Sequence, residues 1–116
     1  MFDDTAATMP QTETPRDYAV GDLQLSVARH ECRLHGRPVA LTPTEFAILR
    51  ILLEQDGAVI SAEELCRRIW NDERCCGAAN TISVHMRHLR RKLQDTVASP
   101  RYIRTIWGVG YKIESQ

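Results

Sequence analysis

The segment from residue 80 to residue 94 constrains the fold most, because apolar residues recur in it at helical spacing and it contains no acidic residue. At 100° per residue, four apolar side chains fall within one narrow stripe, namely Ile82, Met86, Leu89 and Leu93. The opposite side carries a mostly polar and basic set, namely Asn80, Val84, Arg87, His88 and Arg91. The pattern predicts a helix from about Asn80 or Thr81 to Gln94, with one face in a core and the other directed outward.

A β-hairpin is predicted after this helix. Two β-rich runs, residues 102–107 and 111–113, flank the segment Gly108-Val109-Gly110. A short glycine-containing loop between two such runs is typical of a hairpin.

Two earlier helices are indicated by their N-terminal capping signals. Thr42-Pro43-Thr44-Glu45 has the order of a capping box with proline at the first helical position, and Gly57 supplies a stop signal. Ser61-Ala62-Glu63-Glu64 repeats the capping pattern. In the second of these helices, Cys66 and Trp70 are expected in the core.

Short alternating segments between residues 18 and 41 predict a small antiparallel sheet of three or four strands, with His35-Gly36 as a tight turn. Residues 1–15 have almost no apolar clustering and are expected to form a disordered tail or linker remnant. Residues 16–116 are therefore expected to form an α+β domain. Its expected architecture is a winged helix-turn-helix, with an N-terminal antiparallel sheet, three helices and a C-terminal hairpin wing.

Charge is distributed unevenly along the chain, although 15 Lys and Arg balance 15 Asp and Glu overall. Residues 74–112 contain eight basic residues and one acid, whereas residues 1–73 contain seven basic residues and thirteen acids. Such asymmetry is typical of a chain whose basic end meets a polyanion.

Several classes of protein and site are not expected. The chain has no apolar run near the ~20 residues of a membrane span, and no catalytic or phosphate-loop motif in a credible context. We therefore expect a cytoplasmic protein that is not an enzyme and has no cofactor. The cysteines lack C-x-x-C spacing and are expected to be reduced thiols; they are Cys32, Cys66, Cys75 and Cys76. A metal or redox role for Cys75 and Cys76, with His85 and His88, is the less favoured alternative, because adjacent cysteines rarely chelate together.

Four segments resemble the OmpR/PhoB-type effector domains of two-component response regulators, namely residues 41–46, 65–70, 80–93 and 103–111. The resemblance covers about residues 18–113 and implies sequence-specific binding of double-stranded DNA for transcription regulation. It also implies a phosphorelay, with a phosphorylatable receiver domain that is not assigned in this chain, and binding to direct repeats as head-to-tail dimers. The loop between the second and third helices, with Asp72, Glu73 and Arg74, is implied to contact RNA polymerase.

The resemblance also implies roles for individual side chains. Base or groove contacts fall to Thr81, Ser83, Val84, Arg87 and His88. Phosphate contacts fall to His85, Arg90, Arg91 and Thr105. The wing, expected at the adjacent backbone or minor groove, contributes Arg104, Trp107 and Lys112.

Trp107 departs from the family pattern, which usually has an arginine that enters the minor groove at this position. Tryptophan lacks the charge that is attracted to a narrow A·T minor groove. Three placements of Trp107 stay open: packing against sugars, wedging at a base step, or lying over the sheet. The alternative function is a winged-helix module that binds protein instead of DNA, through the sheet or through residues 71–79.

Overall fold

The computed structural model describes residues 17–71, 77–95 and 102–113, without the side chains of residues 78 and 79. Four antiparallel strands come first, in the spatial order of the sequence: β1 (Asp17–Val20), β2 (Leu23–Ser26), β3 (Glu31–Leu34) and β4 (Arg37–Val39). Three helices follow: α1 (Pro43–Glu54), α2 (Ala62–Trp70) and α3 (Ala78–Lys92). A hairpin of β5 (Ile103–Ile106) and β6 (Gly110–Ile113), here called the wing, completes the predicted α+β winged-helix arrangement. The predicted tail, residues 1–15, and the segment Asp72-Glu73-Arg74 lie outside the described residues.

The N-terminal sheet is a meander whose inner face covers the core. Four side chains on β2 and β3 are at most 5% exposed, namely Leu23, Leu25, Cys32 and Leu34. The predicted turn at His35-Gly36 joins β3 to β4, with φ of 54° and 77°. A two-residue hairpin loop of type I′ needs positive φ at both positions, and glycine adopts such values without a steric penalty.

Side-chain caps begin the first two helices, but the capping box predicted for both is complete only at α1. At α1, the Thr42 hydroxyl accepts a hydrogen bond from the Glu45 amide at 3.1 Å, and the Glu45 carboxylate accepts one from the Thr42 amide at 3.0 Å. At α2, the Ser61 hydroxyl accepts from the Glu64 amide at 3.0 Å, while the Glu64 carboxylate accepts from Arg68. These caps satisfy amides that a helix leaves unpaired at its N-terminus.

The predicted apolar stripe of α3 is confirmed. Its four side chains are at most 1% exposed, namely Ile82, Met86, Leu89 and Leu93, and they share one core cluster with Leu49 and Leu52 of α1. The helix begins at Ala78, earlier than predicted, because Gly77 adopts a φ of 75° and serves as the N-cap without a side chain. The apolar periodicity therefore predicted the buried face of α3 correctly but did not predict the residue at which the helix begins.

Two predictions for α2 are wrong. Trp70 is 43% exposed, because Ile69 packs against the core instead and Asn71 ends the helix in a left-handed conformation with φ of 54°. Cys66 is buried as predicted, but it is disulfide-bonded and so is not a reduced thiol. Sequence spacing does not reveal such a bond, which depends on the distance between two Cα atoms in space.

Cys32 is a free thiol, and burial raises its pKa to about 11. Because the thiolate is the reactive form, this residue is expected to be chemically inert and to pack as a small apolar side chain. Cys75 and Cys76 lie outside the described residues. Within the three described ranges, no helix has both the length and the apolar content to cross a bilayer.

Candidate nucleic-acid interface

The outward face of α3 is a continuous exposed surface. It contains all five residues predicted to contact bases or the groove, together with one predicted phosphate ligand, and all six are exposed: Thr81, Ser83, Val84, Arg87, His88 and Arg91. His85 is half-buried, with its ring centroid 6.1 Å from that of Trp70. No acidic residue occurs between residues 77 and 94, so no carboxylate of this helix opposes an approaching anion.

The chemistry of this face suits a DNA groove. A major groove about 12 Å wide admits one α-helix, and its base edges present donors, acceptors and the thymine methyl group. An arginine such as Arg87 can bind guanine through two hydrogen bonds, and an apolar side chain such as Val84 can contact a thymine methyl. Arg91 supplies a charge of the kind that binds phosphate.

Arg90 connects α3 to the wing. It is 8% exposed, and its Nη2 donates to the Ile103 carbonyl at 3.2 Å and to the Thr105 hydroxyl at 2.5 Å. The guanidinium carbon lies 5.9 Å from the centre of the Tyr111 ring, within the range of a cation–π contact. Burial lowers the pKa of Arg90, whereas the charge of Asp95 opposes this shift. Its hydrogen bonds thus hold the wing, and its predicted phosphate contact stays a prediction.

Asp95 anchors the base of the wing, a role that the sequence did not reveal. Its carboxylate is 6% exposed and accepts hydrogen bonds from the amides of Tyr102 at 3.1 Å and Ile103 at 2.8 Å. Hydrogen bonds to a charged acceptor are stronger than neutral ones. The available signal was that Asp95 is the only acid between residues 74 and 112.

The wing is also paired with the segment before α2. Ile60 and Tyr111 exchange two backbone hydrogen bonds, at 2.8 and 2.9 Å. A Cβ atom on Gly110 would lie 2.1 Å from the Ile60 carbonyl oxygen. Only glycine allows the two backbones to approach this closely.

The tip of the wing is apolar and exposed. The turn is closed by a hydrogen bond from the Val109 amide to the Ile106 carbonyl at 2.9 Å, with Gly108 at φ of 80°. Trp107 is 80% exposed and Val109 is 58% exposed. Of the three placements left open by the sequence, Trp107 therefore does not lie over the sheet, and the two placements on DNA remain. Arg104 and Lys112 are directly opposed across the hairpin.

An open cleft of about 510 Å³ separates α3 from the wing. Ser83, Arg87 and Arg91 line its helix side, and Thr105 and Trp107 line its wing side. The lining also includes Arg90 and one carboxylate, Asp95, so the cleft between these two elements has a net positive charge.

A half-buried ion pair fixes the end of α3 to the start of α1. The Lys92 ammonium donates to the Glu45 carboxylate at 2.7 Å, and Glu45 is 2% exposed. Burial by itself raises the pKa of Glu45, but the hydrogen bonds from Lys92 and from the Thr42 amide lower it below its ordinary value overall. Sequence analysis identified Glu45 only as a capping residue and missed this second partner.

Comparison with known proteins gives a consistent result. The family described as "Transcriptional regulatory protein, C terminal" matches residues 36–113. The regulatory protein VanR of Enterococcus faecium is 55% identical over 92 residues, which are 79% of this chain and 40% of VanR. The chain therefore spans about two fifths of the length of this relative.

Two solved structures share the fold at moderate sequence identity. The response regulator DrrB of Thermotoga maritima, described as an OmpR/PhoB homolog, has a TM-score of 0.75 at 32% identity, over 85% of this chain and 44% of DrrB. The DNA binding domain of CpxR from E. coli has a TM-score of 0.68 at 30% identity, over 86% of this chain and 97% of that domain. Both likenesses extend over most of this chain.

Proposed function

Because the chain belongs to the family of transcriptional regulatory protein C-terminal domains, we propose that it regulates transcription by binding specific sequences in double-stranded DNA. In this proposal α3 lies in the major groove, and the wing contacts the adjacent backbone or minor groove. The chain serves as the effector domain of a two-component response regulator, whose receiver domain controls it through phosphorylation.

The contrast between the two faces of α3 carries the proposal. The side chains of the apolar stripe on one face are at most 1% exposed in the core, and this packing fixes the helix on the domain. The other face is exposed, basic and free of carboxylates over residues 77–94. A helix that is held rigidly on one side and offers donors and cations on the other is what base reading in a groove requires.

The assembly on DNA is proposed from the resemblance. Two copies bind direct repeats as a head-to-tail dimer, and the segment Asp72-Glu73-Arg74, outside the described residues, contacts RNA polymerase. The names of the relatives, a regulatory protein and a response regulator among them, support the effector role.

The first experiment uses the purified chain to select duplexes from a random library. The affinity of the chain for the selected duplexes is then measured at several salt concentrations. We expect a preferred direct repeat. A plot of the logarithm of the binding constant against the logarithm of the salt concentration should have a slope of about −0.9 for each neutralised phosphate. Weak binding with no preferred sequence and no salt dependence would contradict the proposal and favour the protein-binding module.

A matched pair of variants tests the placement of α3. Arg87→Ala should weaken binding by about 1–3 kcal/mol and relax the preference at one base position. Arg29→Ala removes an exposed arginine from the turn between β2 and β3 and should leave both properties nearly unchanged. Equal effects from the two variants would place the DNA surface elsewhere.

A further inference from the structure

The wing exposes its largest apolar side chain at its tip. Trp107 is 80% exposed, and Val109, on the same turn, is 58% exposed. An aromatic side chain buries 150–250 Å² when it packs, so an exposed tryptophan leaves a large apolar surface in water. Resting on DNA binding as proposed above, we propose that Trp107 and Val109 enter the minor groove of the bound duplex and wedge open one base step.

The geometry of the cleft supports this placement. With α3 in the major groove, one sugar–phosphate strand separates the helix from the neighbouring minor groove. The cleft between α3 and the wing has a volume of about 510 Å³. Its charged lining is three arginines against the single carboxylate of Asp95, so its net positive charge suits that strand. Trp107 lies on the far side of the cleft, where the minor groove would be.

The charge around the tip of the wing also indicates that the tip binds DNA and not a protein or a lipid core. No Asp or Glu occurs between residues 101 and 113, and Arg104 and Lys112 face each other across the strands behind the tip. An apolar tip on a basic hairpin combines attraction to phosphates with a side chain that avoids water. Proteins that bend DNA through the minor groove insert apolar wedges of this kind.

A wedge gives the wing a role in sequence preference that phosphate contacts cannot provide. Pyrimidine–purine steps unstack at the lowest cost, so the site beneath the wing should favour such a step. The anchors of the wing at Arg90, Asp95 and Ile60 hold the tip in place against the duplex. Trp107 is thus a specificity-determining residue that forms no hydrogen bond with a base edge.

Affinity at varied salt separates a wedge from a charge contact. Trp107→Ala should weaken binding about tenfold, which corresponds to ~1.4 kcal/mol, while the salt slope stays that of the unaltered chain because no phosphate contact is lost. Trp107→Phe should retain most of the affinity, since a smaller ring still stacks. Val59→Ala, at a 38% exposed position outside the wing, serves as the control for loss of exposed apolar surface.

Fluorescence reports where the indole lies. The chain has two tryptophans, so a Trp70→Phe background leaves Trp107 as the only tryptophan, whose emission is excited at wavelengths that tyrosine does not absorb. We expect DNA to quench this emission and to protect it from acrylamide, on a duplex that carries a single half-site. When 2-aminopurine replaces each base of the site in turn, its fluorescence should increase on binding at one step beneath the wing. Trp107→Ala should abolish that increase.

Three outcomes would overturn the proposal. Trp107→Ala could bind as tightly as the unaltered chain, or Trp107 could stay accessible to acrylamide in the complex. Protection that appears only on a tandem repeat would show that a second copy of the chain covers the tip, not DNA. All three leave DNA binding itself intact, whereas failure of the unaltered chain to bind DNA with salt dependence would remove the proposed function and this inference together.

Discussion

The helix α3 and the wing face the same cleft but are attached to the domain in different ways. Apolar packing holds α3, through Leu89 and its neighbours in the stripe. At the wing, polar groups add to the packing of Ile103 and Ile113 in the core: the Asp95 carboxylate, the Arg90 guanidinium and a backbone bridge to Ile60. Apolar packing is non-directional and tolerates small shifts, whereas hydrogen bonds require particular distances and angles. The wing should therefore be the element that small changes displace first.

The strongest test of this comparison removes packing beneath α3. Leu89→Ala should lower the free energy of unfolding by ~3 kcal/mol, because it removes a 0% exposed side chain from the core. Val84→Ala, on the exposed face of the same helix, should change stability by no more than ~0.5 kcal/mol. Urea denaturation measures both, and similar values would mean that α3 is not held by its apolar stripe.

A substitution at the backbone contact should displace the wing with a smaller cost. Gly110→Ala places a Cβ 2.1 Å from the Ile60 carbonyl oxygen and should cost about 2 kcal/mol. Gly108→Asn is the matched control, because Gly108 has open space around it and a φ of 80° that asparagine tolerates. Amide exchange should rise in the wing and not in α3; an equal rise in both would show that the two elements move together.

The carboxylate at the base of the wing should contribute next. Asp95→Ala leaves the amides of Tyr102 and Ile103 without their acceptor and should cost ~1.5 kcal/mol. Asp95→Asn keeps one oxygen acceptor, so a smaller loss is expected. Unfolding curves for the two variants compare them directly, and a larger loss for asparagine would contradict the role given to the acceptor.

The smallest effect is expected from the ion pair at the end of α3, and it depends on pH. The pKa of Glu45 is lower in the folded state than its ordinary value of 4.5. The charged carboxylate therefore stabilises the fold at pH values above 4.5, and this stabilisation is lost as the pH falls below 4.5 towards the lower pKa of the folded state. Glu45→Gln retains a capping side chain and removes the charge. Its stability deficit should be present at pH 7 and should shrink at pH 3; a deficit independent of pH would assign the loss to the cap.

The same contrast explains which features the sequence predicted. The stripe at Ile82, Met86, Leu89 and Leu93 and the cap at Thr42 depend on spacing within one helix, so both were predicted correctly. The partners of Asp95 and Arg90 lie 7 to 15 residues later in the chain, at positions that periodicity does not determine. The family resemblance therefore predicted a phosphate contact for Arg90, and no sequence pattern indicated its bonds to the wing.

Trp70 shows a related limit. Its place in an apolar pattern suggested burial, but Ile69 takes the core-facing position in the last turn of α2, and Trp70 is 43% exposed. The exposure of Trp107 was equally unavailable from spacing, since three placements fitted the same residues. Whether a large side chain packs or projects depends on what lies opposite it in space.

The bridge between Ile60 and Tyr111 has a consequence for the order in which the chain folds. The strands of the N-terminal sheet pair with their sequence neighbours, whereas this bridge joins positions about fifty residues apart. Closing a longer loop costs more chain entropy, and non-local pairs form late in folding. We expect the meander and α1 to form early and the bridge to form last, so the cleft between α3 and the wing should be complete only once β6 is paired.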